Sequence, residues 1–152
     1  MLRWEEFKLR PGFVDVLRAV RARRYESVIV SNQRGVALGE VSREAVDDIH
    51  RRLRRLLTSE YGVTLLDVLY CPHDEGQCDC RKPRPGMLLE AARRHGIDLS
   101  RSWMIGDQES DVGAGRAAGC RTVLVSERCE DSAADFRVRD MLELRDLIGR
   151  EF

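Results

Sequence analysis

Short apolar runs alternate along this chain with longer segments whose apolar residues recur every three or four positions. The short runs are rich in valine and isoleucine, as is typical of strands buried on both faces of a parallel sheet. The longer segments have the spacing of amphipathic helices. The predicted strands are 27–30, 65–70, 103–105 and 122–125, and the predicted helices are 11–23, 42–60, 85–95, 110–118 and 141–148, after an irregular lead over 1–9.

Strands that alternate with helices in this way predict an α/β fold with a doubly wound, Rossmann-like parallel sheet. The ends of several helices are marked by their residues: Ser42 is a typical N-cap, and Gly96 and Gly119 are typical C-terminal stops. The chain has 152 residues. That length suits one compact domain with its own core, and we interpret residues 1–152 as a single domain.

The charge composition gives no reason to expect a nucleic acid or an anionic membrane as partner. Lysine plus arginine and aspartate plus glutamate number 26 each, so the net charge is zero. The basic runs 21–24 and 50–55 belong to predicted helices in which apolar residues interleave, as on solvated helix faces. No segment has the apolar length of a membrane span, and no signal peptide is recognisable. We therefore expect a cytoplasmic protein that binds neither nucleic acid nor membrane. A monomer is the working expectation, which the sequence itself does not test.

A dense group of cysteines follows the second predicted strand. Cys71, His73, Cys78 and Cys80 lie within ten residues. Three thiols and one imidazole are the donor set of a closed tetrahedral zinc site, so we predict structural zinc here. The alternative is a pair of unrelated buried cysteines beside a surface histidine. Cys120 and Cys129 lie in separate later segments, which favours reduced thiols over a disulfide framework.

Polar residues at the ends of three predicted strands form a second candidate site. Ligands of such sheets bind beyond the carboxyl ends of the strands. A hydroxyl, a lysine and paired carboxylates are the groups that a magnesium-dependent phosphoryl-transfer site requires. Each has a simpler alternative, as a turn, a solvated charge or a helix first turn. The candidates are Ser31 and Asn32, Arg81 and Lys82, and Asp107 with Asp111.

Together these motifs make the chain resemble the capless, zinc-loop phosphatases of the haloacid dehalogenase superfamily, which include heptose bisphosphate and histidinol phosphatases. The resemblance runs from residues 4–7 through 31–35, 71–73, 78–87 and 106–111. It implies substrate binding by Ser31, Asn32, Arg81 and Lys82, with Lys82 also stabilising the transferring phosphoryl group. It further implies magnesium on Asp107, a site-orienting Asp111, and a small phosphorylated metabolite, most closely a heptose bisphosphate, as substrate.

One motif of the family is not matched. The family's first strand carries Asp-x-Asp, which supplies the nucleophile and the general acid/base. Asp15, the first aspartate here, lies inside a predicted helix, so no nucleophile is assigned. In the family this strand is central, between the strands that end at Ser31 and Asp107, and we expect the gene product to begin upstream with it. The alternatives are a histidinol-phosphatase-like enzyme and an inactive, zinc-stabilised phosphate-binding remnant.

Overall fold

The computed structural model describes residues 3–128 and 131–152, and in these residues strands and helices alternate as the apolar pattern predicts. Cys129, expected to be a reduced thiol, lies outside the described residues. Short 3₁₀ turns lie at Trp4–Glu6 and Leu99–Arg101. The strands are β1 (Val28–Asn32), β2 (Asp67–Cys71), β3 (Trp103–Gly106), β4 (Arg121–Val125) and β5 (Phe136–Val138). The helices are α1 (Phe13–Ala22), α2 (Arg34–Ala37), α3 (Arg43–Tyr61), α4 (Gly86–His95), α5 (Glu109–Ala118) and α6 (Met141–Glu151).

All the strand pairings among the described residues are parallel, but they form two sheets instead of one. β1 pairs with β2, and β3, β4 and β5 form the second sheet in that order. The register places Ser31 beside Tyr70 and Asn32 beside Cys71, so both candidate residues are the last residues of β1 and do not follow it. The α/β class with parallel strands is as expected, and the parallel strands are divided into two groups. The two sheets part between β1 and β3, the place that the family resemblance gives to the unmatched strand.

A cavity of about 500 Å³ lies between the facing edges of β1 and β3. We call it the slot. Its lining is mostly apolar. Residues of helices α1, α4 and α6 contribute to the lining; α1 and α6 pack against the second sheet, and α4 packs against the first. Arg10, Lys82, Asp107 and Asp111 contribute polar groups to the lining. From the two strands, the slot is lined by Val28, Ile29, Val30, Met104, Ile105 and Gly106.

Helix α1 contributes to two separate hydrophobic clusters. Its Val16 and Val20 pack with β4, β5 and α6, whereas its Leu17 packs with α3 and the residues that precede β2. A third cluster joins β2 to α4 through Leu69, Cys71 and Met87. These burials follow from the apolar spacing of the helices, since residues three and four apart share one helix face. No helix among the described residues is long and apolar enough to cross a membrane.

Two elements were not predicted from the pattern. α2 has only four residues and follows β1 directly, and β5 has three residues and completes the second sheet. β5 is held beside β4 by Asp135, whose carboxylate accepts hydrogen bonds from the backbone N–H and the hydroxyl of Thr122 at 2.8 and 3.0 Å. Elsewhere the helix signals are confirmed: Ser42 accepts from the N–H of Ala45, and Gly119 ends α5 with a positive φ of 86°.

Candidate active site and metal centre

A buried ion pair connects the loop after β2 to the start of α5. The Lys82 Nζ lies 2.5 Å from Asp111 Oδ1, and the two side chains are only 12% and 7% exposed. Lys82 also donates to the backbone carbonyl of Val30 at 3.1 Å, on the edge of β1 that faces the slot. The loop lysine and the helix carboxylate, separated by 29 positions in sequence, thus meet at one end of the slot.

Asp111 has a second role at the N-terminus of its helix. Its other carboxylate oxygen accepts from the N–H of Gln108 at 3.1 Å, as in a capping box. The simpler interpretation of Asp111 as a first-turn residue therefore holds alongside its ion pair with Lys82. Gly106 makes this close approach possible, because a Cβ at that position would collide with the Asp111 side chain.

Asn32 fixes the backbone of Lys82. Its Oδ1 accepts from the Lys82 N–H at 3.1 Å, and its Nδ2 donates to the Lys82 carbonyl at 3.3 Å. These two hydrogen bonds connect the loop after β2, which carries the cysteine cluster, to the end of β1. Ser31, the preceding residue, accepts a hydrogen bond from the Gln33 side chain at 3.3 Å and is half-buried. Asn32 is thus a positioning residue for Lys82, a role the sequence did not distinguish from direct substrate binding.

Asp107 lies at the polar end of the slot and forms an ion pair with Arg10, a residue that the sequence analysis did not single out. The Arg10 Nη2 lies 3.2 Å from Asp107 Oδ2, and the side chains are 62% and 44% exposed. Arg10 comes from the lead segment before α1, separated from Asp107 by 97 positions. No spacing signal could have revealed the pair, since the residues meet only through the tertiary fold. Asp107 has the exposed carboxylate that a magnesium ligand needs, with a guanidinium in competition for it.

Arg81 borders a second cavity, of about 380 Å³, beside the same loop. Its Nη1 is a buried donor with no hydrogen-bond partner among the described residues. An unsatisfied guanidinium nitrogen is costly to bury, so an oxyanion in this cavity would be stabilised. Lys82, Asn32, Arg84 and Ser110 line the same space. The structure therefore brings Arg81 and Lys82 to one pocket. The unsatisfied Nη1 of Arg81 is available to donate a hydrogen bond to an anion there.

The four predicted zinc ligands converge on one point. One ligand atom from each of Cys71, His73, Cys78 and Cys80 lies within 4.8 Å of the others. The Cys71 Sγ is 3.4 Å from the Cys78 Sγ and 2.9 Å from the Cys80 Sγ, and the His73 Nδ1 is 3.3 Å from the Cys80 Sγ. Three sulfurs and one imidazole nitrogen fit tetrahedral zinc, whose bonds to sulfur are about 2.3 Å long. The donor set and its convergence both suit that metal.

The protonation of this cluster is uneven when no ion is bound. Burial raises the pKa of the Cys78 thiol, but hydrogen bonds from Cys80, the Arg81 N–H and Cys71 outweigh burial and lower that pKa to about 6. Burial and the two neighbouring sulfurs raise the pKa of Cys80 to about 12. A bound zinc ion would displace the thiol protons of the cluster, because the metal binds the deprotonated sulfur.

The loop that carries these residues is held against α4 and α5 by close backbone contacts. A Cβ at Gly86 would collide with the backbone of Asp79, and a Cβ at Gly113 would lie 2.9 Å from the Pro83 side chain. Arg34 forms an ion pair with Asp74 at 2.5 Å, which connects α2 to the start of the loop. The loop is therefore positioned from three sides, and Lys82 with it.

Comparisons with known proteins show the family of this chain. A family model described as HAD-hydrolase-like matches residues 79–138. The chain is 38% identical to a D-glycero-β-D-manno-heptose-1,7-bisphosphate 7-phosphatase of Pseudomonas aeruginosa over 76% of its own length and 65% of that protein. It is 31% identical to the enzyme of the same name from Helicobacter pylori over 95% of its own length and 85% of that protein. The chain belongs to this phosphatase family of HAD-like hydrolases.

A solved structure extends the similarity to the whole described fold. The D,D-heptose 1,7-bisphosphate phosphatase of B. bronchiseptica, crystallised with magnesium and phosphate, aligns with a TM-score of 0.83 and 26% identity. The alignment covers 98% of this chain and 88% of that one. The family and the fold class expected from the motifs are both confirmed. The chain spans about two thirds of the length of the P. aeruginosa relative.

Proposed function

We propose that this chain provides the phosphate- and magnesium-binding residues of a phosphatase that removes the 7-phosphate from D-glycero-β-D-manno-heptose 1,7-bisphosphate. The observation that carries the proposal is the buried Lys82–Asp111 pair, fixed by Asn32 and adjacent to the exposed carboxylate of Asp107. Relatives named for this reaction, and a neighbour that binds magnesium and phosphate, support it. We further propose that the protein acts as a monomer in the cytoplasm.

Each residue has a definite task in this proposal. Asp107 would hold a magnesium ion, which would supply positive charge next to the phosphoryl group. Lys82 faces the same group and offsets the charge that builds up in the transition state. Asp111 orients Lys82, and Asn32 holds the backbone that carries it. Ser31 donates its hydroxyl to a phosphate oxygen, and Arg81 binds the remaining phosphate or a sugar hydroxyl through its unsatisfied Nη1.

These residues provide neither the carboxylate that accepts the phosphoryl group nor the general acid. Among the described residues near Lys82, Asp111 is occupied by its ion pair and helix cap, and Asp107 is assigned to the metal. We propose that the nucleophile is the first aspartate of an Asp-x-Asp segment outside the described residues. Its oxygen bonds to phosphorus as the sugar oxygen leaves with a proton from the second aspartate, and water then releases phosphate.

The cysteine cluster has a structural role in this proposal. Zinc bound by Cys71, His73, Cys78 and Cys80 would pin the loop that carries Arg81 and Lys82 without touching the substrate. Because the unfolded chain lacks a preformed ligand set, zinc binding would contribute to the stability of the folded loop. Cys80 and Lys82 are two residues apart in sequence. Loss of zinc would therefore loosen the backbone that positions Lys82.

The test compares the chain as given with a version extended by an upstream Asp-x-Asp strand, both purified with zinc. The measurement is phosphate release from heptose 1,7-bisphosphate and from histidinol phosphate, with and without magnesium. We expect the extended protein to be active on the heptose and the given chain to be inactive. Lys82→Ala in the extended protein should lower turnover by about 10²- to 10³-fold. An extended, folded protein with no activity would identify an inactive phosphate-binding remnant.

A further inference from the structure

The turn 74–77 contributes to the lining of the second cavity and is held in place by polar contacts. The Asp74 carboxylate accepts from the Arg34 Nε at 2.5 Å and from the Glu75 N–H at 2.7 Å. The Gln77 Oε1 accepts from the Asp74 N–H at 3.0 Å. The backbone of the turn is therefore fixed by contacts in which the Glu75 side chain has no part.

Glu75 brings to this cavity a carboxylate that the fold does not use. Its oxygens make no hydrogen bond or ion pair with any described residue. The two other carboxylates of the same loop are engaged, Asp74 with Arg34 and Asp79 with Arg84. An unpaired carboxylate at a surface is common, so the significance of Glu75 depends on the groups that share its cavity.

The cations of the second cavity differ in how far they are satisfied. Lys82 is paired with Asp111. The Arg84 Nη1 donates to the Cys78 carbonyl at 2.6 Å. By contrast, the Nη1 of Arg81 is buried and has no partner among the described residues. The cation with an unused buried donor is therefore Arg81.

Arg81 and Glu75 line one cavity without forming an ion pair with each other. A buried donor without a partner is costly, so an anionic ligand oxygen at Arg81 would be stabilised. An ionised carboxylate can only accept hydrogen bonds, so the matching group at Glu75 is a hydroxyl, and a second anion there would be repelled. The cavity therefore suits a ligand in which an anionic group and hydroxyl donors lie close together.

We propose that Glu75 is a specificity-determining residue, which accepts hydrogen bonds from the sugar hydroxyls of a phosphate ester and disfavours ligands that place a second anion beside it. The inference rests on the proposed phosphatase function and names the side chain that distinguishes sugar phosphates from other phosphate esters. In a heptose bisphosphate, the phosphate that is not cleaved would bind Arg81, and hydroxyls of the sugar would bind Glu75.

The test measures binding to the zinc-loaded chain by isothermal titration, so it does not depend on turnover. The two probes are mannose 6-phosphate and hexyl phosphate, which has the same ester group without the hydroxyls. We expect the chain to prefer the sugar phosphate by about tenfold, because hydrogen bonds to charged groups are strong. Glu75→Ala should lower this preference to less than about twofold. Glu75→Gln, whose amide oxygen still accepts, should give an intermediate preference. Glu60→Ala, which removes an exposed carboxylate of α3, is the matched control and should behave as the unchanged chain.

Inorganic pyrophosphate provides a test of opposite sign. It brings a second anion and no sugar hydroxyl, so Glu75→Ala should bind it severalfold more tightly than the unchanged chain does. A side chain that only supported the loop would weaken the binding of all three probes together when removed. That result would overturn the proposal.

Two further outcomes separate this inference from the proposed function. If Glu75→Ala keeps the full preference for mannose 6-phosphate, Glu75 does not determine specificity, and the phosphatase proposal is unaffected. If neither ester binds, or if Arg81→Met leaves the affinity for both esters unchanged, the second cavity takes no phosphate ester and the inference is overturned. Phosphate release by the extended protein then decides the proposed function independently.

Discussion

The Lys82 ammonium lies 2.5 Å from the Asp111 carboxylate in a setting where both side chains are almost fully buried. Such a pair stabilises little relative to an apolar pair, but removing one partner leaves a buried charge without compensation. We therefore expect Lys82→Met to cost about 3–5 kcal/mol of unfolding free energy. The measurement is urea unfolding of the zinc-loaded chain.

A double-mutant cycle isolates the pair itself. Asp111→Asn retains an acceptor for the Gln108 N–H, so the helix cap survives while the charge is lost. The double variant should be more stable than the sum of the two single losses predicts. The exposed Arg93–Glu90 pair is the matched control, and its removal should have a much smaller effect. Strict additivity at Lys82 and Asp111 would show that the two residues act independently.

Cys78→Ser should release zinc and loosen the loop that carries Lys82. The expected zinc content falls from one ion per chain to less than half an ion, because three ligands bind this cation far more weakly than four. Elemental analysis after purification without chelators gives the stoichiometry. Cys120→Ser is the matched control, since that buried thiol lies outside the cluster and should leave zinc unchanged. Metal-free wild-type protein would contradict the assignment.

Magnesium binding by the chain as given should be weak, at about millimolar affinity or worse, because Asp107 acts with few of the oxygen ligands that this ion requires. Arg10→Ala removes the guanidinium 3.2 Å from Asp107 and should tighten binding severalfold. Lys8→Ala, which removes an exposed charge of the same sign two residues away, should not. Isothermal titration measures both. If tight magnesium binding persisted in Asp107→Asn, the ion would bind at another site and the assignment of Asp107 would be wrong.

Acid should destabilise the protein through His50, whose ring packs edge-on against Tyr70 with centroids 5.5 Å apart. Burial lowers the pKa of His50 below its ordinary 6.5, although Asp47 opposes that effect. Below pH 6.5 the unfolded chain therefore binds more protons at this site than the folded chain, so stability falls as the pH drops through 6.5 and levels off below the folded pKa. At most this slope reaches about 1.4 kcal/mol per pH unit.

His50→Phe keeps the ring contact and removes the titration. Urea unfolding of both proteins between pH 7 and 5 should show a shallower decline for the variant. Asp67 contributes little in this window: burial raises its pKa, but hydrogen bonds from His95 and Val68 outweigh that effect and keep it below 3.8. Parallel pH profiles for the two proteins would show that another group controls acid stability.

The sequence pointed to the metal cluster and to Lys82 and Asp111 as candidate site residues for related reasons. Cys71 to Cys80 are close enough in sequence that a short loop can bring them together. Lys82 and Asp111 each follow the carboxyl end of a parallel strand, where ligands of such folds bind. Local patterning also gave the helices, with Ser42 capping α3 as expected. These features depend on spacing and periodicity, which a single sequence contains.

The features that the sequence missed depend on contacts between distant segments. Arg10 meets Asp107 only after α1 and the second sheet have packed together. β5 is too short to give a periodic signal and depends on Asp135 binding Thr122. Asn32 belongs to β1 because its register with Cys71 extends the strand, which the apolar run alone could not show.

Helix α1 has a consequence for how the molecule unfolds. The two sheets share no hydrogen-bond ladder, yet Val16 and Val20 bind one hydrophobic cluster while Leu17 binds another. Cooperativity between the two halves therefore passes through this helix and through the Lys82–Asp111 bridge. A destabilising change on α1 should affect the amide exchange of both sheets, whereas a change within α3 or α6 should first release only its own half from the shared transition.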